Sequence, residues 1–214
     1  MRTLIAFSAG VLMSATALAG GFNFTFDSDN QGWTKGNFSN TYANIDPDSN
    51  GPATWNAGGW IDGSDHSGYA FHFSPVLGGG HGDLFGQTIS VDFVSIGGAG
   101  GEDPFLVLMS STDFLVLEKT MPGGSTFSTY TYALNDSELW YFNSSQYYDG
   151  SGATVASNAQ IQAVLSDLQY VGVSTDITSG GDTTRLDNVT AVPEPASMIA
   201  LGLGGLALLR RRRN

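Results

Sequence analysis

Two short acidic stretches carry oxygen-bearing side chains at alternate positions, as calcium-binding loops do. The sequence reads FDSDNQGW at residues 26–33 and DPDSNG at residues 46–51. An EF-hand shares this opening and adds a bidentate glutamate at the twelfth position of the loop. Phe38 and Ala57 occupy that position here, so neither stretch is an EF-hand. Residues 46–51 are better interpreted as a turn, in which Asp and Asn bond to the backbone and Gly takes a positive φ.

The histidines do not form a recognisable catalytic motif. His66 lies in a polar segment, His72 alternates with phenylalanines, and His81 sits in a glycine-rich run. No HExxH, GxSxG or phosphate-binding loop accompanies them. Asp92 and Glu118 are the acids predicted within strands or at strand edges, and we expect both to be solvated. We therefore expect no enzyme, although a glycosidase-type pair of carboxylates remains an alternative.

Aromatic side chains offer a different chemistry, because a ring face packs on the apolar face of a pyranose while nearby amides and carboxylates bond its hydroxyl groups. The candidates for sugar contact are Trp55, Trp60, Tyr147 and Tyr148. The tyrosine pair lies in a Ser/Gly-rich segment, which favours exposure. The alternative for the tryptophans, Trp33 and Trp140 included, is packing in or beside a core. The sequence names no sugar.

The net charge of the chain limits the kinds of molecule that it can bind. Once Arg2, Glu194 and the four terminal arginines are set aside, three cations remain against nineteen acids, a net charge near −16. Nucleic acid is excluded, because phosphate binding needs clustered Lys and Arg. Such a surface favours solubility and attracts divalent cations. The chain has no cysteine, so core packing or bound ions must hold it together without disulfides.

The elements that would position these residues are short strands. Aromatic and β-branched runs alternate with clusters of Gly, Asp, Asn and Ser, which predicts an all-β antiparallel sandwich. Residues 21–191 are long enough to form one domain with a core of its own. The predicted strands are residues 22–26, 55–61, 69–73, 88–96, 105–110, 114–118, 126–134, 170–175 and 184–192.

One short helix interrupts the strands. Ser157 and Gln160 have the spacing of a capping box, which marks a helix start. Four apolar residues follow at i, i+3, i+4 and i+7, so one face of the helix should pack on the sandwich. These residues are Ile161, Val164, Leu165 and Leu168.

The first 19 residues predict an export signal. Arg2 precedes an apolar run that ends in Ala17, Leu18 and Ala19, the small-x-small pattern that signal peptidase cleaves. We therefore expect a signal helix at residues 1–19 and a mature chain that starts near Gly20.

A second apolar run, residues 196–209, precedes four arginines. As a helix it would be about 21 Å long, shorter than the ~30 Å hydrocarbon core of a bilayer. It could span only with snorkelling arginines or a thinned bilayer. The arginines favour the cytoplasmic side, which places the body outside.

The end of the chain resembles the PEP-CTERM sorting domain of Gram-negative bacteria that make exopolysaccharide. The resemblance covers residues 192–214, in which an apolar run rich in small residues links two motifs. These motifs are Pro193, Glu194 and Pro195, and Arg210, Arg211, Arg212 and Arg213. It implies processing by an exosortase-type enzyme, with transient membrane anchoring and delivery to the cell surface or extracellular matrix. An ordinary C-terminal anchor is the alternative.

The body resembles two related β-sandwich families. FDSDNQGW near the start and LDNV at residues 186–189 resemble the terminal strands of galactose-binding-like jelly rolls. That resemblance implies a structural calcium ion between those strands, with Asp27 and Asp187 as ligands. The alternative is that the carboxylates only cap turns.

Further segments in matching order resemble laminin B (domain IV) between about residues 26 and 190. They are residues 60–61, 69–75, 84–93, 140, 164–168, 180–182 and 186–189. Laminin domain IV usually sits among cysteine-rich modules, which this sequence lacks.

Together these features predict an exported, exosortase-sorted surface protein. We expect its sandwich to be a non-catalytic adhesive or glycan-contacting module associated with exopolysaccharide. A purely structural matrix protein is the first alternative and a glycan hydrolase the second.

Overall fold

The computed structural model describes residues 20–64, 70–96, 102–175, 177 and 183–193. Within them, two six-stranded antiparallel sheets enclose one apolar core, which confirms the predicted β-sandwich. The signal residues Ala17 and Ala19, and the sorting residues beyond Pro193, lie outside this described part. No helix in the described part is both long and apolar enough to cross a membrane.

The first sheet, here called the front sheet, has the order β3-β4-β12-β6-β9, and β1 pairs with β12 beside β4. Its central strand is therefore the last strand among the described residues. Asn23 of β1 pairs with Thr190 of β12, so the two ends of the domain meet in one ladder. The front-sheet strands are β1 Phe22–Phe24, β3 Thr54–Asn56, β4 Trp60–Ser64, β6 Thr88–Ile96, β9 Ser128–Ala133 and β12 Thr183–Ala191.

The second sheet, here called the back sheet, has the order β10-β8-β7-β11-β5-β2. Its central strands bury nearly every side chain on both faces, which explains why β7 and β8 appear in the sequence as continuous apolar runs. The back-sheet strands are β2 Thr34–Asn37, β5 Ala70–Phe73, β7 Glu102–Met109, β8 Phe114–Thr120, β10 Trp140–Phe142 and β11 Tyr170–Ser174.

Two apolar clusters account for this burial. The main core fills the space between the sheets and includes the fully buried Trp33 and Trp140. The second cluster covers the outer face of the back sheet, where Phe38 packs on Phe71 and Phe114 with ring centroids 5.3 and 5.7 Å away. The back sheet is thus an interior layer, and the front sheet has one face open.

The described residues include two short α-helices outside the sheets, α1 at Gln146–Asp149 and α2 at Asn158–Ser166. The capping box predicted for α2 is confirmed. The Ser157 side chain accepts from the Gln160 backbone N–H, and the Gln160 side chain accepts from the Ser157 N–H at 2.8 Å. The predicted apolar face of α2 is buried against the core. In the same described ranges, 3₁₀ turns occur at Tyr42–Asn44, Gly82–Leu84 and Gly150–Gly152.

The prediction of a single strand at residues 55–61 is wrong, because these residues form the β3–β4 hairpin. The Asn56 side chain accepts from the Gly58 N–H at 3.0 Å, and Gly59 turns with a φ of 89°. A positive φ at Gly59 costs little because glycine has no Cβ. The sequence analysis also missed β2, β10 and α1, which are three or four residues long.

His72 is a buried polar residue in β5. It is 1% exposed, and neither ring nitrogen has a hydrogen-bond partner among the described residues. Burial is the main reason that the pKa of His72 is lowered to about 3, and the charge of Lys35 acts in the same direction. The imidazole is therefore neutral in the folded protein at physiological pH.

We predict that His72→Leu reduces the amount by which the free energy of unfolding falls in acid. The unfolded chain protonates this histidine below about pH 6.5, whereas the folded chain does so only near pH 3. Stability is therefore retained above pH 6.5 and lost as the pH falls. The wild type should lose about 3 kcal/mol more than the variant between pH 7 and pH 4.5, as measured by urea unfolding.

Phe71→Leu is the matched control, since it alters packing on the opposite face of the same strand and removes no titrating group. It should lower the free energy of unfolding by a similar amount at both pH values. Equal losses in the wild type and His72→Leu would contradict the prediction.

Candidate functional site

Both acidic stretches form turns held by their own side chains. In the first, the Asp29 carboxylate accepts from the Gln31 N–H at 2.8 Å, and Gly32 has a φ of 77°. In the second, the Asp46 carboxylate accepts from the Asp48 N–H at 3.2 Å. The turn predicted at residues 46–51 is therefore confirmed.

The side chains of the front sheet that point away from the core form an open surface, here called the front face. Strand alternation makes this face polar, and cross-strand hydrogen bonds of 2.5 to 2.9 Å connect its members. The bonded pairs are Asn23 with Thr190, Ser90 with Thr131, and Asp92 with Thr129.

An aromatic patch lies on this front face and comprises Trp60, Phe127, Arg185 and Asp62. The Arg185 guanidinium lies 5.0 Å from the Trp60 ring, and the Phe127 ring lies 6.0 Å from it. Asp62 accepts from the Trp60 indole N–H at 2.8 Å and from the Asn56 amide at 2.9 Å. Arg185 Nε lies 3.4 Å from the same carboxylate. These contacts fix the Trp60 ring and keep it partly exposed.

Three carboxylates gather beside this patch. Asp187 and Asp92 face each other on neighbouring strands, and the turn after β1 places Asp27 within electrostatic range. The Asn188 amide donates to Asp92 at 2.8 Å and to Asp187 at 3.2 Å. Asn188 reaches both from a bulge in β12, where its φ is 46°.

The pKa of Asp187 is raised above its ordinary value. Partial burial is the main cause, and the charges of Asp92 and Asp27 add to it, while the Asn188 backbone N–H opposes it. A cation would relieve this repulsion. However, no three His, Asp or Glu side chains in the described ranges converge closely enough to hold a metal ion. The described residues thus do not form a complete calcium site, and calcium at Asp27 and Asp187 stays a prediction.

The four aromatic candidates from the sequence do not meet in one site. Trp55 pairs with Ile61 across the hairpin, so it points to the face opposite Trp60, and its indole N–H donates to the Phe26 carbonyl at 2.7 Å. Tyr147 and Tyr148 lie on α1 beside the back sheet, where Tyr148 packs on Phe38. Trp60 is therefore the only one of the four on the front face.

Two acids that the sequence analysis expected to be solvated have structural partners. The Glu118 carboxylate accepts from the Ser145 hydroxyl and from the Tyr147 backbone N–H, the latter at 3.0 Å, and so caps the start of α1. Asp92 accepts from Thr129 at 2.5 Å. For Glu118 and Asp92, strand periodicity predicts the direction of the side chain but not these partners.

Two of the three histidines lie in the described ranges. His72 is buried in the back sheet, and His81 Nδ1 contacts the Gly20 carbonyl near the start of the domain. His66 lies outside the described residues.

A cleft of about 300 Å³ lies between the β2 side of the back sheet and the turn at residues 46–51, and the sequence analysis missed it. Its apolar wall comes from Pro47, Pro75 and Tyr170, and the exposed Asp46 and Asp48 line its rim. Its lining residues are far apart in sequence, so no local motif could have identified it.

Comparison with known proteins supports two of the expectations. The family described as the PEP-CTERM protein-sorting motif matches residues 191–213. The chain thus carries a sorting motif that implies export to the surface of a Gram-negative bacterium and processing by an exosortase. No curated protein matches the sequence.

The fold is similar to the L4b domain of human laminin alpha-2. The TM-score is 0.61 at 11% sequence identity, and the similarity covers 81% of this chain and 98% of the laminin chain. At this identity the comparison confirms the laminin-type β-sandwich and supports no statement about function.

We predict that Asp187→Asn stabilises the protein at neutral pH when EDTA is present. Because the folded pKa of Asp187 is raised, the ionised carboxylate is disfavoured in the fold, and stability falls as the pH rises through that pKa. The melting temperature should rise by about 2 °C at pH 7 and be unchanged near pH 3. Asp48→Asn removes one charge from the turn at residues 46–51 beside the back sheet and serves as control; an equal gain there would contradict the prediction.

We also predict that calcium raises the melting temperature of the wild type and that Asp187→Asn abolishes the rise. The physical reason is that the cation offsets the repulsion between Asp27, Asp92 and Asp187. Asp48→Asn, in the turn far from these residues, should keep the rise. Identical melting curves in calcium and in EDTA would exclude a stabilising site.

Proposed function

We propose that this surface-sorted protein uses its sandwich as a non-catalytic, adhesive module that contacts glycans of the cell surface or of the exopolysaccharide matrix. Three observations support the proposal: the sorting motif, the β-sandwich fold, and the open front face. The sorting motif implies delivery to the cell surface, where the module would meet surface glycans and exopolysaccharide. The front face supplies an extended polar surface there.

The aromatic patch is the observation that carries this proposal. A partly exposed indole is held in place by Asp62 and Arg185, so stacking a sugar on it costs little side-chain entropy. The guanidinium, the Asn56 amide and the neighbouring hydroxyls offer hydrogen bonds to sugar hydroxyl groups within the same face. The face extends across several strands, so it can contact more than one sugar unit of a chain-like glycan.

The net charge of the body adds a constraint on the glycan. With nineteen acids against three cations, the module repels strongly anionic polymers at low salt. The proposal therefore favours neutral or amino-containing polysaccharides. Arg185 is the one cation of the body that lies in the patch.

A purely structural role in the matrix is the second candidate, and the back sheet favours it. That sheet is buried on both faces, so most of its side chains stabilise the fold and are not available to bind a ligand. A structural protein would need no sugar contact, and its front face would only keep it soluble.

We predict that the body, residues 20–193, binds at least one polysaccharide on a glycan array that includes the exopolysaccharide of its producer. Trp60→Ala should weaken that binding at least tenfold, as expected for loss of a central aromatic contact. Isothermal titration with the best-binding oligosaccharide gives the affinity. Thermal melting checks that the variant is folded.

Tyr147→Ala is the matched control, since it removes an exposed aromatic from α1, beside the back sheet, and should leave the affinity unchanged. An absence of binding to every polysaccharide would refute the glycan role and leave the structural one. Release of reducing sugar during the assay would instead indicate a hydrolase.

A further inference from the structure

The outer edges of the two sheets are protected unequally. On the back sheet, residues 46–52 cover β2: the Lys35 N–H donates to the Gly51 carbonyl at 2.7 Å, and the Asn37 N–H donates to the Asp46 carbonyl at 3.0 Å. Gly36 permits this close approach, because a Cβ there would lie 2.2 Å from the Asp46 carbonyl oxygen.

The other back-sheet edge is also covered. Residues 154–156 run along β10, where the Phe142 N–H donates to Thr154 and the Ala156 N–H donates to Trp140, both at 2.8 Å. On the front sheet, the edge strands β1 and β3 are only three residues long. Short or covered strands are the usual protection against pairing between molecules.

β9 differs from these edges. It has six residues and pairs only with β6 in the described structure. The Leu134 N–H donates to the Gln87 carbonyl, and the Leu134 carbonyl accepts from the Gly86 N–H. Because backbone groups alternate in direction along a strand, the N–H and C=O groups of Tyr130 and Tyr132 also point toward β6. Thr129 and Thr131 therefore direct their N–H and C=O groups away from the sheet. No described residue bonds to these groups.

Only the end of this edge is closed, because the Trp140 indole donates to the Ala133 carbonyl at 2.9 Å. Thr129 and Thr131 are themselves exposed. The β9 edge thus presents a short, accessible row of backbone N–H and C=O groups that no described residue bonds.

The chemistry of the segment reinforces this geometry. Residues 120–135 contain no charged side chain, although the body carries a net charge near −16. The only proline, Pro122, lies before the strand. The charges and prolines that usually prevent edge pairing are therefore missing from β9. Two copies of so acidic a molecule repel each other least along an uncharged edge.

We propose that a second copy of this chain pairs antiparallel with β9 and joins the two front sheets into one continuous sheet. Pairing about Tyr130 places Thr129 of one copy opposite Thr131 of the other, so that every outward N–H meets an outward C=O. The contact is self-complementary under a two-fold axis, which gives a closed dimer. It leaves the aromatic patch of each copy on the same extended face.

The test is the molar mass of the full-length protein in mild detergent, measured by light scattering over a range of concentrations. The wild type should approach a dimer as the concentration rises. Thr131→Pro removes the outward N–H and leaves the bonds to β6 intact, because proline is tolerated where the N–H points out of a sheet. We expect its dimer dissociation constant to rise at least tenfold.

Thr131→Val is the matched control, since it also loses the hydroxyl that bonds Ser90 but keeps the backbone N–H. It should dimerise as the wild type does. A wild type that stays monomeric, or a Thr131→Pro variant that dimerises like the wild type, overturns the proposal.

Thr129→Lys provides a second test that leaves the backbone unchanged. The paired copies would bring two new like charges close together, so the variant should dimerise less in low salt. Dimerisation should recover in 0.5 M salt, where the Debye length falls to about 4 Å and the repulsion is screened. The wild-type dimer should also strengthen with salt as the acidic bodies are screened. Dimers of Thr129→Lys that are indifferent to salt would show that association uses another surface.

Discussion

The whole front sheet depends on β12. This strand is hydrogen-bonded to β6 along nearly its full length on one side, and to β4 and β1 in succession on the other. Without it, β6 and β9 would be separated from the β3–β4 hairpin and from the first strand of the domain. Its apolar side chains Leu186 and Val189 are buried in the core, and its polar ones form the middle of the front face. The same nine residues thus unite the sheet, fill the core and carry Arg185 and Asp187.

The two sheets have different roles in the domain. The back sheet is covered on its outer face by Phe38, Ile45 and their neighbours, so burial on both sides stabilises it. The front sheet has only one buried face, and its other face stays available for contacts. An asymmetric sandwich of this kind obtains its stability from one layer and its surface chemistry from the other. The net negative charge of the body keeps this open face hydrated and accessible.

Sequence reasoning was most reliable where periodicity is strong. The nine-residue strand β6 and the capping box of α2 were predicted at the right residues, because alternation and capping chemistry are local signals. It failed for β2 and β10, whose pairing depends on partners far away in the chain. It also treated Trp55 and Trp60 as one strand and one type of site. The glycine turn between them reverses the chain, and alternation then sends the two indoles to opposite faces.

The candidate site shows the same limit. Trp60 could be named from composition alone, but Arg185 of β12 and Phe127, just before β9, reach it from segments that are distant in sequence. Asn188 is recognisable only from the bulge that lets it bond both Asp92 and Asp187. These residues have no shared spacing in the chain. Their proximity follows from the order of strands, which the sequence does not state.

The position of β12 also has a mechanical consequence. The strand ends at Ala191, where the match to the sorting motif begins, so any tension applied through that end enters the central strand of the sheet directly. Its antiparallel neighbours run along its length, so such a pull acts parallel to the ladders and must shear several hydrogen bonds together. A pull across the strands would instead open the ladder one bond at a time. A domain loaded in this geometry resists extension.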